Sequence, residues 1–248
     1  GVEEALRAPG SPDHRDADDG RTPLLSASLQ GHAEIARRLC EASAQIDAPM
    51  QDGATPLLAA AMQGHLEVVT LLQELGADVD RPTPNGTTPL HAASLQGHLE
   101  VVRYLCEAGA NCEKTTPYGA TPLYVACYNG HAAVVRHLCG LGADKDLQTP
   151  NGASPLHAAA QMGHAEVVAF LCEVGALKDS QMDDGATPLL AAALTGHVGI
   201  VRYLCDARAD FQQPTRDGAT PLHASARSGH IEVARLLVER LADMETQM

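Results

Sequence analysis

The chain repeats itself every 33 residues, and no other property limits its possible folds as much. A Thr/Ser-Pro-Leu triplet begins at Thr22, Thr55, Thr88, Thr121, Ser154, Thr187 and Thr220. A Gly-His pair follows at Gly31, Gly64, Gly97, Gly130, Gly163, Gly196 and Gly229, with no insertion or deletion between copies. A fixed period of this length describes a stack of one supersecondary unit whose copies cover each other's apolar faces. It does not describe a globule with a single closed core.

The copy from Thr88 to Ala110 shows what the unit is. Thr88 stands where an N-cap belongs, and Pro89 takes the first helical position, where its missing N–H costs nothing. Gly97 closes the helix, predicted over Pro89–Gln96. His98 then opens a second helix in which Leu99, Val101, Val102, Leu105 and Cys106 recur at helical spacing and form one buried face, ending near Gly109. The links between copies carry Asn85-Gly86, Asp184-Gly185 and similar pairs, which is turn chemistry.

With this length and the Thr-Pro-Leu-His-x-Ala pattern at Thr88–Ala93, the unit resembles the ankyrin repeat. The resemblance covers the chain beyond about Asp13. It implies an all-α ankyrin-repeat solenoid of stacked helix-turn-helix units with β-hairpin-like tips. Residues 14–248 are read as the array of seven repeats. Residues 1–13 are read as an N-terminal half-repeat, because Val2, Ala5 and Leu6 align with the apolar positions of a second helix, expected over Gly1–Arg7. That half-repeat is either the remnant of a longer array or an N-terminal cap. At the other end, Glu245–Met248 resemble the start of a further link.

Four copies place Gly after the second helix, at Gly76, Gly109, Gly142 and Gly175, whereas Ser43, Arg208 and Leu241 stand there in the others. A side chain in a left-handed C-cap costs on the order of 1 kcal/mol, so the two ends of the array are expected to fray before its middle.

Composition excludes several function classes. The formal net charge is -14, which disfavours nucleic acid and anionic membranes, since both require a basic face. No run of apolar residues is long enough to span a bilayer, and the N-terminus has no basic-then-apolar signal. With no Trp and only two Phe, the interior must be built from Ala, Leu, Val and Cys. Five of the seven cysteines, Cys40, Cys106, Cys139, Cys172 and Cys205, share one second-helix position that Gln73 and Val238 occupy elsewhere. That column reads as a small buried apolar site and not as a disulfide framework, with a reducing, intracellular and cytoplasmic home.

Twelve histidines invite a metal or catalytic reading, but their placement opposes it. Seven belong to the Gly-His pairs, and His91, His157 and His223 are the fourth residue of the triplet motif. A structural role is needed once per unit, a catalytic role once per protein. The resemblance implies that both sets hydrogen-bond backbone groups within and between neighbouring repeats. Ser28 and Ser94 share a first-helix position with Ala61, Cys127, Ala160 and Ala193, which marks a small packed site and not a nucleophile. The expected reading is therefore a non-enzyme with no cofactor and no metal.

If packing fixes the scaffold positions, function must lie where the copies differ, at the tips and at the ends of the first helices. The resemblance places these positions on a concave face that grips partners. Repeat 4, Glu113–Lys145, stands out, with Tyr118 and Tyr128 at two variable positions and Tyr124 in place of the usual His. Leu95, Tyr118 and Tyr128, flanked by Met62 and Met162, are expected to anchor a protein or peptide on a monomeric array. If these residues instead reflect drift between copies, the array is a passive spacer or targeting arm of a larger multidomain protein.

Overall fold

The computed structural model describes residues 11–16 and 20–246, with side chains through residue 242. The helix expected over Gly1–Arg7 lies outside the described residues. The chain divides into two compact units, Gly1–Pro117 and Tyr118–Met248.

The first unit contains α1 (Pro23–Gln30), α2 (Ala33–Glu41), α3 (Pro56–Gln63), α4 (Leu66–Glu74), α5 (Pro89–Gln96) and α6 (Leu99–Glu107). The second contains α7 (Pro122–Tyr128), α8 (Ala132–Gly140), α9 (Pro155–Met162), α10 (Ala165–Glu173), α11 (Pro188–Thr195), α12 (Val198–Asp206), α13 (Pro221–Arg227) and α14 (Ile231–Thr246). Every regular element among the described residues is thus an α-helix, and the helices come in pairs. In each unit the first helices pack in one row, α1–α3–α5 or α7–α9–α11–α13, and the second helices in another.

The caps form as the sequence requires. The Thr55 hydroxyl accepts the Leu58 amide at 3.2 Å, and Thr22, Thr88, Thr121, Ser154, Thr187 and Thr220 do the same for their own helices. Where the fourth motif residue is histidine, its ring reaches back to the N-cap and completes a reciprocal box at Thr88/His91, Ser154/His157 and Thr220/His223. The tips are turns without strands, closed by backbone bonds such as Thr83 N–H to Thr87 O (2.9 Å) and Gly86 N–H to Thr83 O (2.8 Å).

Two recurring kinds of side chain bind one repeat to the next, beside single contacts such as Tyr104 Oη–H to Gln73 Oε1 at 3.2 Å. The imidazole Nε2 of His65 and His98 lies 3.1 Å from the carbonyls of Leu29 and Met62. In the second unit His164, His197 and His230 reach Tyr128, Gln161 and Leu194 at 3.0–3.1 Å. These contacts explain the Gly of five Gly-His pairs, at Gly31, Gly64, Gly130, Gly163 and Gly196. A Cβ on Gly64 would lie 2.6 Å from the His98 ring. The second kind is a row of aspartates. Asp47, Asp80, Asp146 and Asp179 accept the backbone N–H of Asp78, Asn111, Leu177 and Asp210, each 31 residues further on, at 2.8–3.1 Å.

Three expectations need correction. The last helix, α14, runs through to Thr246, so Leu241 is helix interior and not a C-cap, and Glu245–Thr246 are helical instead of starting a link. Its sequence, with no Gly or Pro and rich in Leu, Glu, Arg and Ala, gives it no reason to stop. The left-handed C-cap argument therefore holds for Ser43 (φ 66) and Arg208 (φ 64) and not for repeat 7. The column of Cys40, Cys106, Cys139, Cys172 and Cys205 is half-buried, not buried. Each cysteine follows a buried leucine, at the margin of the apolar stripe, where the helix surface begins to turn toward solvent.

Candidate functional site

The candidate binding residues occupy two structural positions that the scaffold leaves outward-facing. The first is the tip. Tyr118 precedes Gly119, whose left-handed φ of 74° turns the chain, and the tyrosine is 80% exposed. The second is the last turn of each first helix. There Tyr128 is 42% exposed, Met162 41% and Leu95 40%, while Met62 is half-buried. Tyr118, Tyr128 and Met162 belong to the second unit, Met62 and Leu95 to the first.

The helix-end position is held from behind. The carbonyls of Met62 and Tyr128 accept the imidazoles of His98 and His164, so the backbone carrying these two side chains is clamped by the next repeat's histidine. A side chain on a fixed backbone loses less entropy when a partner covers it. Tyr124 is different in kind. It is half-buried, and burial, with Tyr128 and Cys127 nearby, raises its phenol pKa, as suits a packing residue.

The second unit also carries a groove that the sequence reading did not single out. It has a volume of about 740 Å³. Its apolar floor is made by Met182, Ala186, Leu190, Leu194 and Ala224, and its rim by Asp183, Asp184, Asp217, Arg216 and Arg227. Successive tips build it by pairing through their backbones, Asp183 N–H to Asn151 O at 3.0 Å and Arg216 N–H to Asp184 O at 2.8 Å. The tip glycines permit that approach. A Cβ on Gly152 would stand 2.7 Å from the Met182 Cα. Leu190 stands where three copies have histidine and gives the groove an apolar wall beneath the tips, but Leu25 and Leu58 share that position, so the sequence alone did not mark it. At the rim, the Thr215 hydroxyl and the Ala219 amide hold the Asp217 carboxyl below the usual carboxylate range, so this edge stays anionic.

Among the described residues no group of three or more His, Cys, Asp or Glu is placed to hold a metal ion. Ser28, Ser94, Ala61, Cys127, Ala160 and Ala193 are all fully buried, as expected of a small packed position. Burial pushes the thiols of Cys139, Cys172 and Cys205 up to about 11. One pair departs from this pattern. Cys106 Sγ lies 3.6 Å from Cys112 Sγ, a contact the column argument overlooked because the two residues occupy different columns. No described helix is long and apolar enough to cross a membrane.

Known proteins share this architecture. A family model described as ankyrin repeats (3 copies) matches residues 2–83, 78–149, 109–182, 139–214 and 174–248. The crystal structure of the human ASB11 ankyrin repeat domain is similar at a TM-score of 0.80 and 29% sequence identity, covering 88% of this chain and 97% of that one. No curated protein sequence matches the chain significantly. The family matches together cover residues 2–248, and the chain belongs to the ankyrin repeat family.

Proposed function

We propose that this chain is a non-catalytic binding module that grips a protein or peptide on the face made by its hairpin tips and first-helix ends. Ankyrin repeat arrays are generally protein-interaction modules, and the proposal assigns the face and the residues. The observation that carries it is the exposure of large side chains at positions that vary between copies. Tyr118 (80%), Tyr128 (42%), Met162 (41%) and Leu95 (40%) lie at variable positions, and Tyr128 is clamped through its own carbonyl. Aromatic rings on rigid backbone supply large contact area at low entropic cost, the usual make-up of an interface hot spot. Met162 adds adaptable apolar surface in the second unit, as Met62 does in the first.

The test compares the chain with its Tyr118→Ala/Tyr128→Ala variant as bait in lysate of the source cells, read by mass spectrometry. A protein captured by the first should be lost with the second, and its affinity for the variant, measured with purified partner, should fall at least about tenfold. The melting temperature should hardly move, because both rings are exposed. Equal capture by both baits would transfer the reading to a passive spacer or targeting arm.

A further inference from the structure

We propose that Cys106 and Cys112 form a dithiol–disulfide pair that hydroperoxides oxidise, closing a covalent loop across the turn after α6.

The geometry is local and fixed. The sulfur atoms are 3.6 Å apart, in van der Waals contact, across the turn centred on Gly109. Gly109 has a φ of 90°. Its N–H bonds to Cys106 O at 3.0 Å, and Ala110 N–H bonds to Leu105 O at 2.9 Å, so the backbone bearing both cysteines is set. Beyond the turn, Asn111 N–H is held by the Asp80 carboxylate at 3.1 Å and Lys114 Nζ by the Asp80 carbonyl at 2.8 Å. A disulfide needs the sulfurs at about 2.05 Å, roughly 1.5 Å closer than they lie here.

The pair is also specific to one repeat. Six residues beyond Cys40, Cys139, Cys172 and Cys205 stand Ile46, Lys145, Lys178 and Phe211, so the other half-buried thiols of the column have no sulfur partner there. In the reduced form a thiol hydrogen is shared between the two sulfurs, and Cys112 Sγ also contacts Ala110 O at 3.8 Å. When Cys112 gives up its proton, the hydrogen bond with Cys106 lowers its pKa to about 7, against burial and the nearby Glu113 and Asp80. Both sulfurs are half-buried, which admits a small oxidant more readily than a bulky one.

The electrons balance. The Cys112 thiolate attacks one oxygen of the hydroperoxide, the O–O bond breaks, and the leaving alkoxide or hydroxide takes up a proton. Cys112 is then a sulfenic acid. The Cys106 sulfur attacks it, the S–O bond breaks, and the departing hydroxide takes the Cys106 proton as water. Two thiols have been oxidised by two electrons and one hydroperoxide reduced. A low-molecular-weight thiol reverses the step by exchange.

Trypsin cuts after Arg103 and Lys114, so both cysteines fall in the single peptide Tyr104–Lys114. The whole chain is treated with one equivalent of hydrogen peroxide, quenched with an alkylating agent at intervals, digested and weighed. The peptide should lose two hydrogens and escape alkylation. The Cys106 hydrogen bond favours the thiolate at Cys112, whereas burial disfavours it at Cys139, so the pair should be oxidised at least about tenfold faster than Cys139. In Cys112→Ser, Cys106 should remain alkylatable at the pace of Cys172. Oxidation of Cys106 and Cys112 no faster than that of Cys139, Cys172 and Cys205 would overturn the proposal. So would Cys112 sulfinic acid beside an alkylatable Cys106, or rapid Cys106 oxidation persisting in Cys112→Ser.

Discussion

In every repeat but the last the two helices are of similar length, yet they bury differently. In α9 all six residues from Pro155 to Ala160 are buried, whereas in its partner α10 only Val167, Val168 and Leu171 are. The same holds for α3, buried from Pro56 to Ala61, and α4, where burial is confined to Val68, Val69, Leu71 and Leu72. A first helix is enclosed by its neighbours in the row and by its own second helix, so its positions must be small or apolar all round. A second helix needs only a stripe. The inner row is therefore intolerant of volume and the outer row tolerant, and that contrast can be tested one substitution at a time.

The largest effect should come from adding volume to the inner row. Ala159 is fully buried, with Ala27, Ala60, Ala93, Ala126 and Ala192 at the same position in other copies. Ala159→Leu has no space to enter and should cost about 2–3 kcal/mol in urea unfolding of the whole chain. Ala165→Leu, at the exposed start of α10, repeats what Leu66 and Leu99 already do and should stay within about 0.5 kcal/mol. Equal costs at the two sites would erase the distinction between the rows.

The helix ends sharpen it further. Gly196 closes inner helix α11 and Gly175 follows outer helix α10, with nearly equal φ of 83° and 81°. A Cβ on Gly196 would lie 2.6 Å from the His230 ring, but one on Gly175 would meet nothing within 4 Å. Gly175→Ala should thus cost only the left-handed backbone term, about 1 kcal/mol. Gly196→Ala adds displacement of the histidine that binds Leu194 O, and should cost about 2 kcal/mol or more. In the opposite direction, Arg208→Gly and Ser43→Gly should each gain up to about 1 kcal/mol, since both side chains now sit at positive φ. Calorimetric melting of the four variants checks the order.

These contrasts also mark where the sequence was readable. Thr88, Pro89 and Gly97 announce a helix because cap chemistry is local, and the period repeated that announcement seven times. The aspartate row was harder, because Asp80 acts on Asn111 across 31 residues, and nothing in the neighbourhood of either residue says so. Tyr118 could be found because it breaks a column. The groove over Leu190 and Met182 could not, since its floor gathers ordinary apolar residues from several columns and exists only once successive tips pair. Cys106 and Cys112 were missed for a related reason. The column view compares a residue with its copies 33 positions away, and here the partner stands six positions away around a turn.

A smaller effect probes charge in the inner row. His157 is buried, and burial lowers its pKa below the ordinary 6.5, partly opposed by its bond to Ala186 O and by Asp184. Above that ordinary value the imidazole is neutral in both native and unfolded chains and stability is independent of its proton. As pH falls through 6.5 the unfolded chain takes up the proton first, so stability drops until the native imidazole also charges. His157→Leu places there the residue found at Leu25, Leu58 and Leu190. Unfolding free energies measured from about pH 8 to about pH 5 should fall more steeply for the parent than for the variant. Parallel curves would mean that the enclosure of the inner row is leakier to water than its burial indicates.

The finest comparison lies within the inner row itself. Ser28 and Ser94 share a column and are both fully buried. The Ser28 hydroxyl donates to Leu24 O at 2.8 Å, whereas the Ser94 oxygen has no hydrogen-bond partner. An unpaired buried hydroxyl retains its desolvation cost without compensation, and its removal should be neutral or favourable, while a paired one contributes about 1 kcal/mol. Ser28→Ala should therefore destabilise by about 0.5–1 kcal/mol. Ser94→Ala should be neutral or stabilise by up to about 1 kcal/mol, as alanine already serves at Ala61, Ala160 and Ala193. If Ser94→Ala instead costs as much as Ser28→Ala, the Ser94 hydroxyl has found a partner by rotation or through an enclosed water. The inner row would then contain polar space that its alanine-rich sequence conceals.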